Sequence, residues 1–227
     1  MNKEQLGVMR ARIEAELNAP AALVVTSACI KDGKSLVASS LAVSLSKAGR
    51  RVVLVDASDA PPGDRWTNSA PKLSALSNFD IASYVVSATA GEPDLLGLWS
   101  EGVADSSSGE NVRAALTRLR ERYEYIVVDT SPAQRSSLSL SLAAAAEATL
   151  LSLRMGRAAS SSDRDLVGSL RSVGANIIGV VTTDSKTVSA FYNAQRKAAQ
   201  TPGAGRRSLS DEGLKSGTTS VRASLVK

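Results

Sequence analysis

One ten-residue stretch, Thr26-Ser27-Ala28-Cys29-Ile30-Lys31-Asp32-Gly33-Lys34-Ser35, constrains this chain more than any other feature. It follows the apolar run Ala22-Leu23-Val24-Val25 and precedes a helical pattern from Leu36 to Ala48. Strand, tight turn with Gly-Lys-Ser and helix form the context of a P-loop. In that arrangement the N–H groups of the turn and of the helix N-terminus point at one spot, and the helix dipole favours negative charge there. The segment therefore predicts a phosphate cradle built from Ala28, Cys29, Ile30, Lys31, Asp32, Gly33, Lys34, Ser35 and Leu36. Lys34 supplies a mobile cation for the β- and γ-phosphates of ATP or ADP, and Ser35 offers a hydroxyl to Mg²⁺. Ala28 stands where the pattern G-x-x-x-x-G-K-[ST] has its first glycine.

Two further apolar runs end in carboxylates. Arg51-Val52-Val53-Leu54-Val55-Asp56 and Tyr125-Ile126-Val127-Val128-Asp129 both read as strands covered on two faces. In an open parallel sheet the ligand lies beyond the carboxyl ends of the strands, so Asp56 and Asp129 are expected at the edge that carries the P-loop. There they would hold Mg²⁺, directly or through water. An Asp after a strand also caps the next turn or helix. Two of them beside a P-loop favour the metal.

The bulk properties remove other chemistries. The 227 residues suit one α/β domain with a full core. With no histidine, a His general base, a Ser-His-Asp triad and His-ligated zinc are excluded. A single cysteine excludes an intrachain disulfide and a Cys-cluster metal site. Residues 1–17 are charged and amphipathic without a signal-peptide core, and no run reaches the ~20 apolar residues of a membrane span. A cytoplasmic location is expected. The net charge of +5 would suit an anionic membrane surface, but no basic patch interleaved with aromatics appears, so no nucleic acid is expected.

Along the chain, Leu6, Met9, Ile13 and Leu17 make one stripe of a first helix. Expected next are strand 22–27, helix 34–48, strand 51–56, a long loop over 57–78, a strand near 79–86 and a second loop over 87–109. Helix 110–122, strand 124–129, helix 136–146, strand 148–153, helix 161–173, strand 176–181 and helix 187–199 complete the pattern. This alternation predicts an α/β fold, a mainly parallel sheet with helices on both faces and right-handed crossovers. The nucleotide-binding domain is expected over 1–200. Residues 201–227, rich in Gly, Ser, Thr, Lys and Arg, read as a disordered basic tail.

Together these pieces resemble the bacterial tyrosine kinases (BY-kinases) that regulate capsule and exopolysaccharide production, within the deviant Walker A group of P-loop ATPases. Thr26 to Ser35 is similar to that family's T-S-A-x-x-x-x-G-K-S loop. Val53-Leu54-Val55-Asp56-Ala57-Ser58 resembles in part its apolar strand ending in D-A-D. Tyr123-Glu124-Tyr125-Ile126-Val127-Val128-Asp129-Thr130-Ser131-Pro132 looks like its Walker B segment. Leu150 to Gly156 and Ile178 to Val181 look like its later strands, and Glu4 to Arg10 like its E-x-x-R-x-x-R helix. The resemblance covers 4–183. It implies Lys34, Asp56 and Asp129 as catalytic residues, Ser35, Asp56 and Asp129 around Mg²⁺, and a membrane-embedded polysaccharide co-polymerase or activator as partner. It also implies recruitment to the inner face of the plasma membrane, and self-association through 1–17. The alternative for those residues is a helix packed on its own domain.

The departures are specific. Ser58 replaces the second Asp of D-x-D, with Asp59 displaced by one, and Ala60-Pro61-Pro62-Gly63 stands where an Arg-rich segment usually follows. Gly7 replaces the middle Arg of the first helix motif. Thr183, with Asp184 beside it, takes the place of a base-contacting Asn. The tyrosines are Tyr84, Tyr123, Tyr125 and Tyr192, so the family's C-terminal tyrosine cluster is missing. Three readings compete: a tyrosine kinase with ATPase activity, a degenerate ATP-binding scaffold of an export complex, and a partitioning or positioning ATPase. The last group carries a signature Lys five residues before the P-loop Lys, where this chain has Cys29, with Lys31 two places off.

Overall fold

A computed structural model describes residues 3–58, 81–98, 108–156, 160–199 and 223–225. In chain order the elements are α1 (Lys3–Glu16), β1 (Ala21–Thr26), α2 (Lys34–Lys47), β2 (Val52–Ala57), a 3₁₀ turn (Ile81–Tyr84), β3 (Asp94–Gly97), α3 (Ser108–Arg120), β4 (Tyr125–Thr130), α4 (Ser137–Ala145), β5 (Ala148–Arg154), α5 (Ser161–Ser172), β6 (Ile177–Thr183), α6 (Ser185–Ala199) and β7 (Ala223–Leu225). The sheet order is β3-β2-β4-β1-β5-β6-β7. β1 to β6 pair in parallel, and β7 joins β6 antiparallel.

Burial on both sheet faces explains the strand sequences. Along β1, Ala22 and Val24 enter one core, with Val112, Leu116 and Leu119 of α3, Leu138 and Leu142 of α4 and Leu166 and Leu170 of α5. Ala21, Leu23 and Val25 enter the other, with Leu6, Met9 and Ile13 of α1 and Val37, Leu41 and Leu45 of α2. A run of Val and Leu with no polar face is what such a central parallel strand requires. The stripe of α1 is thus buried on its own domain, the alternative packing expected for that helix. α2 stops at Gly49, whose φ of +85° suits glycine.

The fold expected from the sequence is the fold observed, with one strand misplaced. Instead of a strand near 79–86, residues 81–84 form the 3₁₀ turn and Val86 makes a lone antiparallel bridge to Leu95. The edge strand is β3, inside the expected loop over 87–109, where Leu95 and Leu96 pair with Leu54 and Val55. Its four residues follow Pro93 and end on Gly97, too short and too close to turn residues for an alternation to register. Strand β7 falls inside the segment expected to be a disordered tail. Residues 201–222 lie outside those described, as do Asp59 and the Ala60-Pro61-Pro62-Gly63 departure.

Candidate functional site

β1 ends at Thr26 and α2 begins at Lys34, so the intervening turn sits at the carboxyl edge of the sheet beside β4 and β5. Gly33 enters the helix with φ +85°. A Cβ there would stand 2.8 Å from Thr183 Oγ1 and 3.0 Å from Val188 Cγ2, so conformation and space both demand glycine. The Asp32 carbonyl accepts hydrogen bonds from Ser152 of β5 and from Thr183 of β6, the latter at 3.0 Å. Two neighbouring strands thus clamp the turn.

The expected residues fall as follows. Ala28 is buried in the α3–α5 core, Cys29 is half-buried, and Ile30 and Lys31 form the exposed crest, Lys31 at φ +66°. Asp32 and Gly33 are buried. The Leu36 side chain packs against Val188 and Phe191 of α6, which leaves its backbone as the group nearest the turn. Lys34 is almost wholly buried, and its Nζ donates to Ser27 Oγ at 3.0 Å and to the Cys29 carbonyl at 3.4 Å. Burial pulls the Lys34 ammonium below its ordinary range, while Asp129 and Asp32 oppose that shift.

Asp56 and Asp129 are register partners in the β2–β4 ladder, so the sheet sets the two carboxylates side by side. Asp56 Oδ1 accepts from the Ser58 backbone N–H at 3.0 Å and from Ser58 Oγ at 2.6 Å. The Asp129 carboxyl is pushed up to about 7, first by burial and then by the Asp56 charge. Ser35 and Lys34 stand within electrostatic reach and favour its charged form. Asp129 Oδ1 is buried with no partner, an orphan that a bound cation would satisfy. Among the described residues no group of three His, Cys, Asp or Glu forms a protein-only metal cage. That suits Mg²⁺, which keeps waters and takes phosphate oxygens beside one or two carboxylates.

Several groups here were not foreseen as site residues. Ser27 holds the Lys34 ammonium, Ser152 clamps the turn, and Tyr192 of α6 packs with Val188 and Phe191 against Leu36. Their signal is tertiary, since each comes from a different element. Thr183, expected at a base-contacting position, is fully buried with its hydroxyl engaged by the Asp32 carbonyl. Asp184 caps α6, accepting from the Thr187 N–H at 2.9 Å. Elsewhere, a cavity of about 440 Å³ between Arg50, Arg51, Asp94 and Tyr123 opens at the amino ends of β2, β3 and β4, opposite the P-loop.

The comparisons with known proteins agree with this geometry. No family model matches the chain. The Staphylococcus aureus protein described as tyrosine-protein kinase CapB is 23% identical over 166 residues, 70% of this chain and 73% of that one. The kinase domain of the Escherichia coli tyrosine kinase ETK matches with a TM-score of 0.61 at 21% identity, over 78% of this chain and 71% of that one. The chimerical protein CapA2B2 matches with a TM-score of 0.63 at 21% identity, over 80% and 83%. Cobyrinic acid a,c-diamide synthase from Mycobacterium smegmatis, with bound ADP and magnesium, matches with a TM-score of 0.58 at 18% identity, over 80% and 82%. At these identities the solved structures establish a shared fold.

Proposed function

We propose that this BY-kinase-like P-loop protein binds Mg·ATP at residues 28–36 and transfers its γ-phosphoryl group to a protein tyrosine, in the service of capsule or exopolysaccharide assembly. The observation that carries the reading is the gathering of Lys34, Ser35, Asp56 and Asp129 behind the clamped turn, with a buried carboxylate oxygen left unpartnered. Ser35 and Asp129, with Asp56 beside them, would hold Mg²⁺. When bound, the ion would neutralise phosphate charge and orient the β- and γ-oxygens.

The protein's own part is positioning and charge stabilisation. Lys34 leaves Ser27 Oγ and the Cys29 carbonyl to meet the phosphates. The acceptor's phenolic oxygen bonds to the γ-phosphorus, the bond from that phosphorus to the β–γ bridging oxygen breaks, and ADP leaves. Asp56 accepts the phenolic proton, since the chain has no histidine to do so. Among the described residues no helix is long and apolar enough to cross a membrane. A membrane-embedded polysaccharide co-polymerase is the proposed partner that brings the chain to the inner face of the plasma membrane and completes the site.

One observation favours the scaffold reading instead. Both the N–H and the hydroxyl of Ser58 hold Asp56 Oδ1, so the proposed base is tied where the resembling family has a second carboxylate. Incubation with Mg·ATP, a Glu-Tyr copolymer and the cytoplasmic segment of the co-polymerase separates the two. Phosphotyrosine on the copolymer, absent in Asp56→Asn, supports the kinase. Bound ATP without transfer under the same conditions rejects the kinase in favour of the scaffold.

A further inference from the structure

We propose that Arg154 holds the nucleoside end of the nucleotide, on the flank of the P-loop away from the two carboxylates. This role rests on the nucleotide reading above and extends it to a residue at the end of β5.

The strand order makes two flanks around β1. On one side lie β4 and then β2, on the other β5 and then β6. Asp129 and Asp56 stand near the carboxyl ends of the first pair, which is where the nucleotide reading puts Mg²⁺ and the γ-phosphate. In a nucleotide the base and ribose lie at the end of the molecule away from the γ-phosphate. With the phosphates in the turn after β1, the nucleoside is directed over the carboxyl ends of β5 and β6, where an open parallel sheet also receives ligand.

Arg154 is the last residue of β5. Alternation along the strand fixes its face. Ala148 and Leu150 enter the core under α2, and Ser152 reaches the Asp32 carbonyl. Arg154 is next on that face, and its register partner in β6 is Thr183. Thr183 in turn abuts Gly33, so Arg154 flanks the P-loop turn. The other groups here are engaged. Thr183 is fully buried and its hydroxyl donates to the Asp32 carbonyl at 3.0 Å, while Asp184 caps α6. The Arg154 side chain is half-buried, and among the described residues its guanidinium makes no hydrogen bond or ion pair. Arginine is seldom withdrawn from water without a partner. A planar guanidinium offers a flat face to a base and donors to ring nitrogens and ribose hydroxyls. Those are groups that a nucleoside has and inorganic phosphate lacks.

Calorimetry with Mg²⁺ on the full chain compares ADP with pyrophosphate, for wild type, Arg154→Met and Arg154→Lys. Methionine keeps an apolar stem and removes the guanidinium. It should weaken ADP binding about fivefold, the worth of one cation–π contact, and leave pyrophosphate binding within about twofold of wild type. Lysine keeps the charge without the planar fork and should show the same selective loss. Retained pyrophosphate binding marks each variant as folded, and lysine carries the comparison alone if methionine unfolds the chain. Equal losses for the two ligands overturn the proposal, since the arginine then serves the phosphates or the fold. Full rescue of ADP binding by lysine overturns it too, as does ADP binding that neither variant changes. A wild-type chain that binds neither ligand sinks the nucleotide reading and this role together. One that binds pyrophosphate as tightly as ADP keeps the phosphate site and sinks this role alone.

Discussion

Lys34 and Asp129 are buried charges of opposite sign, and each is held in a way that makes sense when phosphate and metal are added. The Lys34 ammonium has two neutral oxygen partners, so a charged acceptor improves its lot. Lys34→Ala should weaken Mg·ATP binding by roughly tenfold or more, the worth of a hydrogen bond to a charged group. Equal affinity by calorimetry would remove the assignment. Lys31 does not compensate, because it stands exposed on the crest of the turn. Asp129 makes a prediction about pH. Its carboxyl is raised from an ordinary 3.8 to about 7 in the folded chain. Below the ordinary value it is protonated whether folded or unfolded, and nothing is lost. As pH rises toward 7 the unfolded chain releases the proton while the folded chain keeps it, so stability falls, and above 7 the full penalty is present. That penalty is on the order of 4 kcal/mol at most. Asp129→Asn in the ligand-free protein should therefore raise the melting temperature more at pH 8 than at pH 5. The same gain at both pH values would mean that burial does not disfavour this charge. Asp129 was legible from its place at the end of an apolar run. Its orphaned oxygen was not, because that depends on which neighbours reach it.

Among the elements, α1 separates what a sequence shows from what only packing decides. The spacing of Leu6, Met9, Ile13 and Leu17 gave the helix and its apolar stripe, but the same stripe serves a second copy of the chain or the helix's own domain equally well. All four are buried against the α2 face of the sheet, and Ile13 is fully enclosed. At roughly 1.5–3 kcal/mol for each large apolar side chain, their burial is comparable to the whole stability of an ordinary domain. Deleting 1–17 is expected to abolish the cooperative thermal transition. A truncated chain that melts like the full one would contradict the burial. Association, if it occurs through α1, must use the other face, where Val8 is 49% exposed beside Arg12. Val8→Glu then tests it by light scattering with the fold intact. Most other elements were legible because long apolar runs and amphipathic helices carry their own period. β3 was not, since a four-residue edge strand takes its identity from pairing with β2. The pairing of β7 with β6 is equally a matter of long-range contact. The P-loop was legible as a motif, whereas its clamp by Ser152 and Thr183 joins residues 120 and 151 positions from Asp32.

At the scale of the whole molecule, the placement of the tyrosines bears on what a kinase of this kind could modify. The chain has four, and none lies in 201–227. Each of the four is engaged by the fold. Tyr84 packs against the α3–α5 core, and Tyr125 begins β4 and is 3% exposed. Tyr123 donates to Asp94 Oδ2 at 2.9 Å, and burial followed by that bond raises its phenol. Tyr192 packs against the cluster of Leu36, Val188 and Phe191. What limits self-modification is therefore the acceptor. A γ-phosphoryl group can be transferred only to a hydroxyl that enters the site in line with the bond that breaks. Freeing any of the four tyrosines means breaking a core contact or a hydrogen bond first, at a cost that a solvated peptide tyrosine does not carry. The expected outcome with Mg·ATP is a phosphorylated Glu-Tyr copolymer and much less than one phosphotyrosine per protein chain, read by mass spectrometry of both. Stoichiometric phosphate on the chain's own tyrosines, formed before the copolymer is modified, would show that the fold releases an acceptor more readily than its buried tyrosines imply.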